Sequence, residues 1–280
     1  MSRIANADQY EAWNGDSGTR WVASADRRDQ VLAPIADVLL QGARPALGET
    51  ALDVGCGCGS TTLAVAEQVG SGGFATGVDL SAPMLDVARR RAEGAHVSNV
   101  RFVQADAQTY RADRPPQLAI SRFGTMFFDD PTAAFANLAG LLAPGGRICL
   151  ATWQPLEAND WLAIPGAALL RYASLPDAEP DAPGMFAQSA PDSVRRILTA
   201  AGLTNIELDP VTVRLAVGAT VEEAVDYLAD SGPGRLILES IGDADRTDAL
   251  AAVHDVLEHH VSDEGVQLDA AVWVIHARTR

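Results

Sequence analysis

Between residues 50 and 153 the hydrophobic positions switch repeatedly between two patterns. Short apolar runs that end at a glycine or an acid read as buried strands. Stretches with apolar residues three and four apart read as helices. Strands are thus predicted at "TALDVG", "GFATGVDL", "NVRFVQAD", "QLAISRFG" and "RICLATW". Between them, helices are predicted at "TTLAVAEQV", "APMLDVARRRAEG" and "DPTAAFANLAGLLAPGG". Ser81 is placed to cap the second of these, with Pro83 in its first turn; Pro144 and two glycines stop the third. Strands alternating with helices of this length imply crossover units and a parallel sheet covered on both faces.

The flanks read differently. Residues 7 to 45 form a mostly helical lead containing the helix-like "DQVLAPIADVLLQGA". Within it, "WNGDSGTRW" reads as a loop, because glycines stand beside both tryptophans. The Pro-rich "LPDAEPDAPGMFAQSAPDS" is unlike any single regular element. "SVRRILTAAGL" predicts a helix and "NIELDPVTVRLAV" a strand that Pro210 bulges or breaks. "TVEEAVDYLAD" and "ADRTDALAAVHDVLEHHV" predict a helical insert, and "LDAAVWVIHART" a closing strand. The expected organisation is one catalytic-type domain with a lid built from insertions. Residues 1–155 hold the helical lead and a ligand-binding core, and 156–190 a lid or substrate insertion. Residues 191–280 complete the sheet, with a helical lid insert at about 218–265.

Composition narrows the partners. The chain has 280 residues, enough for a sizeable core. Its formal charge of −16 argues against nucleic acid or an anionic membrane as partner. With no apolar run of spanning length and no signal-like start, a cytoplasmic protein is expected. The three cysteines make no disulfide framework.

Candidate chemistry concentrates in "LDVGCGCGSTTLA". Cys56 and Cys58 supply two ligands where a structural zinc site needs four, and their spacing is not that of a redox pair, so no metal is expected. A dinucleotide fingerprint needs a third glycine that falls here at Ser60 or Thr62, and both registers fail. What stands is Gly55-x-Gly57-x-Gly59, a bend that tolerates positive φ and leaves no side chain between backbone and ligand. Asp53 precedes it and can take an amine, while the following helix N-terminus favours a carboxylate. Asp79 ends the second strand, where an acid can accept both hydroxyls of a ribose. Asp106 ends the third, where it can accept from an adenine amine while the Ala107 N–H donates to the ring.

Together with "GVDLSAPML", "FVQADAQT", "SRFGTMFFDDP" and "LLAPGGRICLATW", this stretch resembles the successive motifs of class I S-adenosylmethionine-dependent methyltransferases, most closely the small-molecule branch of UbiE type. The resemblance covers residues 8 to 155 well and the remainder loosely. It implies a Rossmann-like, doubly wound, seven-stranded and mostly parallel α/β sheet, with S-adenosyl-L-methionine as cofactor. By the same resemblance Asp53, Gly55, Cys56, Gly57 and Gly59 line the methionine part. Asp79, Leu80 and Met84 hold ribose and adenine, and Asp106, Ala107 and Gln108 frame the adenine. Ser121, Arg122 and Phe123 follow the fourth strand, where cofactor and substrate meet.

The absence of "NPPY" or "DPPY" after that strand argues against methylation of amides or nucleobase nitrogens. Asp129 and Asp130 read as a helix cap rather than a metal pair. Candidates for closing a substrate pocket are Trp13, Trp21, Arg122, Phe123, Trp153, Phe186, His259 and His260; no general base is assigned among them. The expected reaction is O- or C-methylation of a small apolar or aromatic molecule of secondary or quinone-like metabolism, by a homodimer among the expected assemblies. The alternatives are an S-adenosylmethionine binder serving regulation or a non-methylating rearrangement, and an NAD-dependent oxidoreductase.

Overall fold

β1 (Thr50–Val54) and β2 (Phe74–Asp79) are apolar, almost wholly buried strands that pair in parallel. Strands buried on both faces carry continuous rather than alternating hydrophobicity. β3 (Val100–Gln104) adds to β2, while β4 (Leu118–Arg122) and β5 (Arg147–Trp153) extend the sheet beyond β1, all in parallel. The chain is described as a computed structural model over residues 5–173 and 182–280. The sheet closes with two long strands, β6 (Thr204–Gly218) and β8 (Gly265–Arg278), in the order β3-β2-β1-β4-β5-β8-β6. β8 runs antiparallel to β5.

Two compact units are distinguished. The first comprises Met1–Trp153, Pro183–Val211 and Val272–Arg280. Its lead is four helices, α1 (Ala7–Asn14), α2 (Asp16–Ala23), α3 (Ala25–Val31) and α4 (Ala33–Ala43). α5 (Ser60–Val69) and α6 (Ala82–Gly94) are the crossovers from β1 to β2 and from β2 to β3. α7 (Pro131–Leu141) joins β4 to β5, and α9 (Pro191–Ala200) precedes β6. Phe135 and Leu138 of α7 and Val194, Ile197 and Leu198 of α9 share one buried core with Leu52, Val54, Ile148 and Leu150 of the sheet. α4, α5 and α6 pack on the sheet outside that core, so it is covered on both faces.

The second unit comprises Gln154–Ala182 and Thr212–Ala271. It holds α8 (Asp160–Leu169), α10 (Val221–Asp230), α11 (Gly232–Ser240), α12 (Asp243–Glu258) and β7 (Val261–Ser262), which pairs with the start of β8. Asn159 is its internal pin: fully buried, it donates to the carbonyls of Gln154 and Pro155 and accepts from the Ala271 N–H. No described helix is long and apolar enough to cross a membrane.

Several local expectations are corrected. "WNGDSGTRW" is helical: Trp13 lies in the last turn of α1 and Trp21 in α2, with the break confined to Gly15. Gly18 permits this, since a Cβ there would lie 1.9 Å from the Trp13 carbonyl oxygen. "DQVLAPIADVLLQGA" divides at Leu32 into α3 and α4. β6 passes through Pro210 unbroken; the strand lies at the sheet edge, where a missing N–H breaks no ladder. α8 and α11 were not anticipated. Of the Pro-rich stretch, residues 174–181 lie outside those described; residues 183–190 belong to the first unit.

Candidate functional site

The bend after β1 is anchored before it opens. The N–H groups of Gly55 and Cys56 both donate to the Val78 carbonyl, at 2.8 and 3.2 Å. Gly55, Gly57 and Gly59 all have positive φ, of 68°, 53° and 85°. They do different work. A Cβ on Gly55 would fall 2.6 Å from Gly124 Cα, and one on Gly59 2.8 Å from Ala88 Cβ. These two glycines are required by protein packing. A Cβ on Gly57 would meet nothing closer than Met84 Sδ at 3.7 Å, so the space beside the middle glycine stays open.

Two carboxylates flank the bend, and a third, Asp106, follows β3. Asp53 is 2% exposed, and its Oδ2 accepts from the Thr61 and Thr62 hydroxyls, both at 2.6 Å. Its Oδ1 is buried without a hydrogen-bond partner. A buried acceptor in that condition costs about 1–3 kcal/mol, so a donor is called for there. Burial pushes the Asp53 carboxyl above its usual range, against the Thr61 and Thr62 hydroxyls and the Arg122 charge. Asp79 accepts at Oδ2 from Gly57 N–H and at Oδ1 from Ser81 N–H, both at 2.8 Å. An ionised carboxylate has about four acceptor sites, so each oxygen keeps room for a further donor. Burial also pushes Asp79 up, opposed by those backbone donors and reinforced by the Asp53 charge. Two desolvated carboxylates near each other favour a cationic ligand.

Asp106 is more fully used than expected. Its Oδ2 accepts from the N–H groups of Ala5 and Asn6, and its Oδ1 from Gln108 N–H, which leaves capacity for about one more donor. Gln108 Oε1 accepts from Asp130 N–H, while its Nε2 is buried without a partner. Ala107 is buried beside it. The Leu80 carbonyl takes donors from Asn14 and Gln104, and Asn14 Oδ1 accepts from Ala82 N–H, which ties α1 to the end of β2. Met84 is buried in a cluster with Ala25 and Cys58, against which Trp13 and Trp21 pack. Asp130 caps α7 through Ala133 N–H, as its position before Pro131 suggests.

Some expected residues act from behind. Ser121 is fully buried; its hydroxyl donates to the Val54 carbonyl at 2.7 Å and accepts from Gly124 N–H at 3.1 Å. It clamps the turn after β4 to the bend after β1, rather than presenting its side chain to a ligand. Cys56 packs inward, such that a Cβ on Gly77 would meet its Sγ at 2.7 Å. Burial pushes all three thiols up, Cys58 to about 11 and Cys149 to about 12. At pH 8 about one Cys58 in a thousand is thiolate. A disulfide reagent should therefore titrate essentially no thiol in the native protein and three after denaturation; rapid native labelling would contradict this burial.

At the ends of β4 and β5, Phe123 and Trp153 stack with centroids 4.2 Å apart and planes at 10°. Phe123 has φ +67°, a conformation costing about 1–3 kcal/mol, and its N–H donates to the Ala151 carbonyl. Behind it, the Thr125 hydroxyl donates to Gln188 Oε1, and Gln188 Nε2 donates back to the Thr125 carbonyl. Gly184 N–H donates to the Met126 carbonyl. These bonds fasten the segment carrying Phe186 to the same strand ends. Trp13 packs edge-on against both Trp21 and Phe127, and Arg28 lies 4.8 Å over the Trp21 ring. Arg122 pairs with Asp29 at 2.8 Å. His259 and His260 belong to the second unit, where His259 follows α12 and is exposed.

Thr61, Thr62, Asp29, Thr125 and Gln188 were missed. The hydroxyl pair was discoverable, because it falls in the first turn of the helix that follows the glycine bend, eight and nine residues after Asp53. The others hold partners remote in sequence.

The arrangement fits an adenosyl sulfonium. The orphan Asp53 oxygen is free to accept from an ammonium, Asp79 keeps acceptor capacity for paired hydroxyls, and the orphan Gln108 amide is free to donate to a ring nitrogen. Comparison with known proteins agrees. Residues 51–146 match a family described as a methyltransferase domain. The chain is 31% identical over 243 residues to nocamycin O-methyltransferase of Saccharothrix syringae, covering 81% of this chain and 84% of that one. It is 33% identical over 121 residues to aklanonic acid methyltransferase DauC of Streptomyces sp. strain C5, covering 42% of this chain and 54% of DauC, so it spans about half the length of that relative. The crystal structure of YcgJ from Bacillus subtilis shares the fold at TM-score 0.58 and 17% identity, covering 88% of this chain and 97% of that one. The chain belongs to the class I S-adenosylmethionine-dependent methyltransferases.

Proposed function

We propose that the protein methylates an oxygen or carbon of a small apolar or aromatic molecule. S-adenosylmethionine would supply, when bound, an activated sulfonium methyl open to in-line attack, its S–CH3 bond breaking to leave S-adenosylhomocysteine. Placement then carries much of the catalysis. Asp53, Asp79 and Gln108 would hold the amine, sugar and base, and Gly57 would let the backbone approach without a side chain between. The buried Phe123–Trp153 stack stands at the β4 and β5 ends, where aromatic faces would suit a planar acceptor and a sulfonium. Enclosure by aromatic side chains would exclude water and strengthen the electrostatics within. The similarity to nocamycin O-methyltransferase, which extends over most of both chains, supports a small-molecule acceptor. The two insertions forming the second unit are the segments proposed to set acceptor choice.

The observation that carries this reading is the buried Asp53 with its orphan oxygen and the half-buried Asp79, beside an open glycine bend. The test is incubation with methyl-labelled cofactor and a panel of phenols, carboxylic acids and enolisable ketones, followed by extraction into organic solvent. Label in an extracted product is the expected result. Tight cofactor binding with no label leaving it across the panel would instead favour the regulatory or rearrangement role.

A further inference from the structure

Gln188 lies in a turn outside the matched methyltransferase domain, and it is buried. Its Oε1 accepts from the Thr125 hydroxyl at 3.0 Å, and its Nε2 donates to the Thr125 carbonyl at 2.8 Å. One amide thus grips one residue at two points, and the carbonyl dictates which end of the amide donates. The gripping segment is itself anchored, because Trp273 Nε1 donates to the neighbouring Ser189 carbonyl at 2.8 Å.

Thr125 follows Phe123 and Gly124 in the turn after β4. A Cβ on Gly124 would fall 2.7 Å from Gly55 Cα, and one on Gly55 2.6 Å from Gly124 Cα. The glycine bend therefore rests directly against this turn. The turn is strained: Phe123 is held at φ +67°, and a residue keeps such a conformation only where its surroundings enforce it. From within the sheet, Ser121 Oγ accepts from Gly124 N–H and the Ala151 carbonyl from Phe123 N–H. From outside it, Gln188 holds Thr125. The amides of the bend are bonded in turn: Gly55 and Cys56 to the Val78 carbonyl, Gly57 to Asp79 and Gly59 to the Cys56 carbonyl. Their exchange with solvent reports how often the bend opens.

We propose that Gln188 is a positioning residue for the glycine bend. By holding Thr125 it keeps the strained turn pressed against Gly55, and so sets the order of the bend from a segment remote in sequence. The consequence for ligand affinity rests on the cofactor lying at that bend, as above; the consequence for the bend itself does not. Amide hydrogen exchange is followed by mass spectrometry on peptides spanning 55–59, 121–127 and α12. Gln188→Ala removes both bonds to Thr125, so exchange should rise about tenfold at 121–127 and at 55–59 and stay unchanged in α12. No rise at 55–59 marks a merely local prop, and an equal rise in all three marks general loosening; either overturns the proposal.

Gln188→Glu adds a titration. Protonated, the acid keeps both bonds, its O–H donating to the Thr125 carbonyl. Ionised, it turns an anion toward that carbonyl. Burial brings such a carboxyl up toward neutral pH. S-adenosylhomocysteine should bind this variant within about twofold of wild type at pH 6, and about tenfold more weakly than wild type at pH 9. This variant carries the test if melting shows Gln188→Ala unfolded, because one folded protein is then compared with itself. An affinity ratio to wild type that stays flat between those pH values overturns the proposal. A wild-type protein that binds no S-adenosylhomocysteine overturns the cofactor reading, and the exchange comparison then decides the proposal by itself.

Discussion

Asp79→Ala should weaken S-adenosylhomocysteine binding by at least about 3 kcal/mol, roughly 150-fold, since two charge-assisted hydrogen bonds are lost at about 1.5 kcal/mol or more each. The carboxylate holds the Gly57 and Ser81 N–H groups on one oxygen each, so the same substitution also frees two backbone donors in the ligand loop. The two consequences separate. Melting of the ligand-free variant reports the loop. The additional stabilisation at saturating ligand reports binding, because a ligand raises stability only through its affinity for the folded state. Relief of a desolvated charge offsets part of the loop cost, so the ligand-free melting temperature should fall little. Unchanged affinity in the variant would refute the sugar-binding role of Asp79.

Two glycine substitutions should give opposite phenotypes. Gly57→Ala adds a methyl group where the nearest protein atom is 3.7 Å away, at a left-handed backbone position. The strain is about 1–2 kcal/mol, a few degrees in melting temperature for a chain of this size. Cofactor affinity should fall at least about 100-fold, because the methyl fills the space the ligand needs. Gly124→Ala places its Cβ 2.5 Å from the Val54 carbonyl oxygen and 2.7 Å from Gly55 Cα. Both neighbours are backbone and cannot swing aside, so this variant should lose several kcal/mol of stability. Calorimetry and thermal melts on the pair decide the matter. A Gly57→Ala protein that binds normally would show that the bend does not approach the ligand.

The sequence by itself determined the parallel core and the edge on which the proposed ligand residues stand. Period and punctuation are local: an apolar run ending in an acid, followed by a capped amphipathic stretch, says strand end and helix start wherever it occurs. Asp53, Asp79 and Asp106 were legible for that reason, as was the cap at Asp130. Tertiary structure decided what each group does there. The N-terminal segment already occupies one oxygen of Asp106 with two donors, from residues about a hundred positions away. Ser121 turns inward to join two backbones, and the three glycines divide into two packing residues and one opening. Asp29 meets Arg122 across 93 residues of sequence. No window of sequence contains both ends of such a bond. Its formation depends on how separately specified elements pack, and packing selects among partners that local periodicity leaves equivalent.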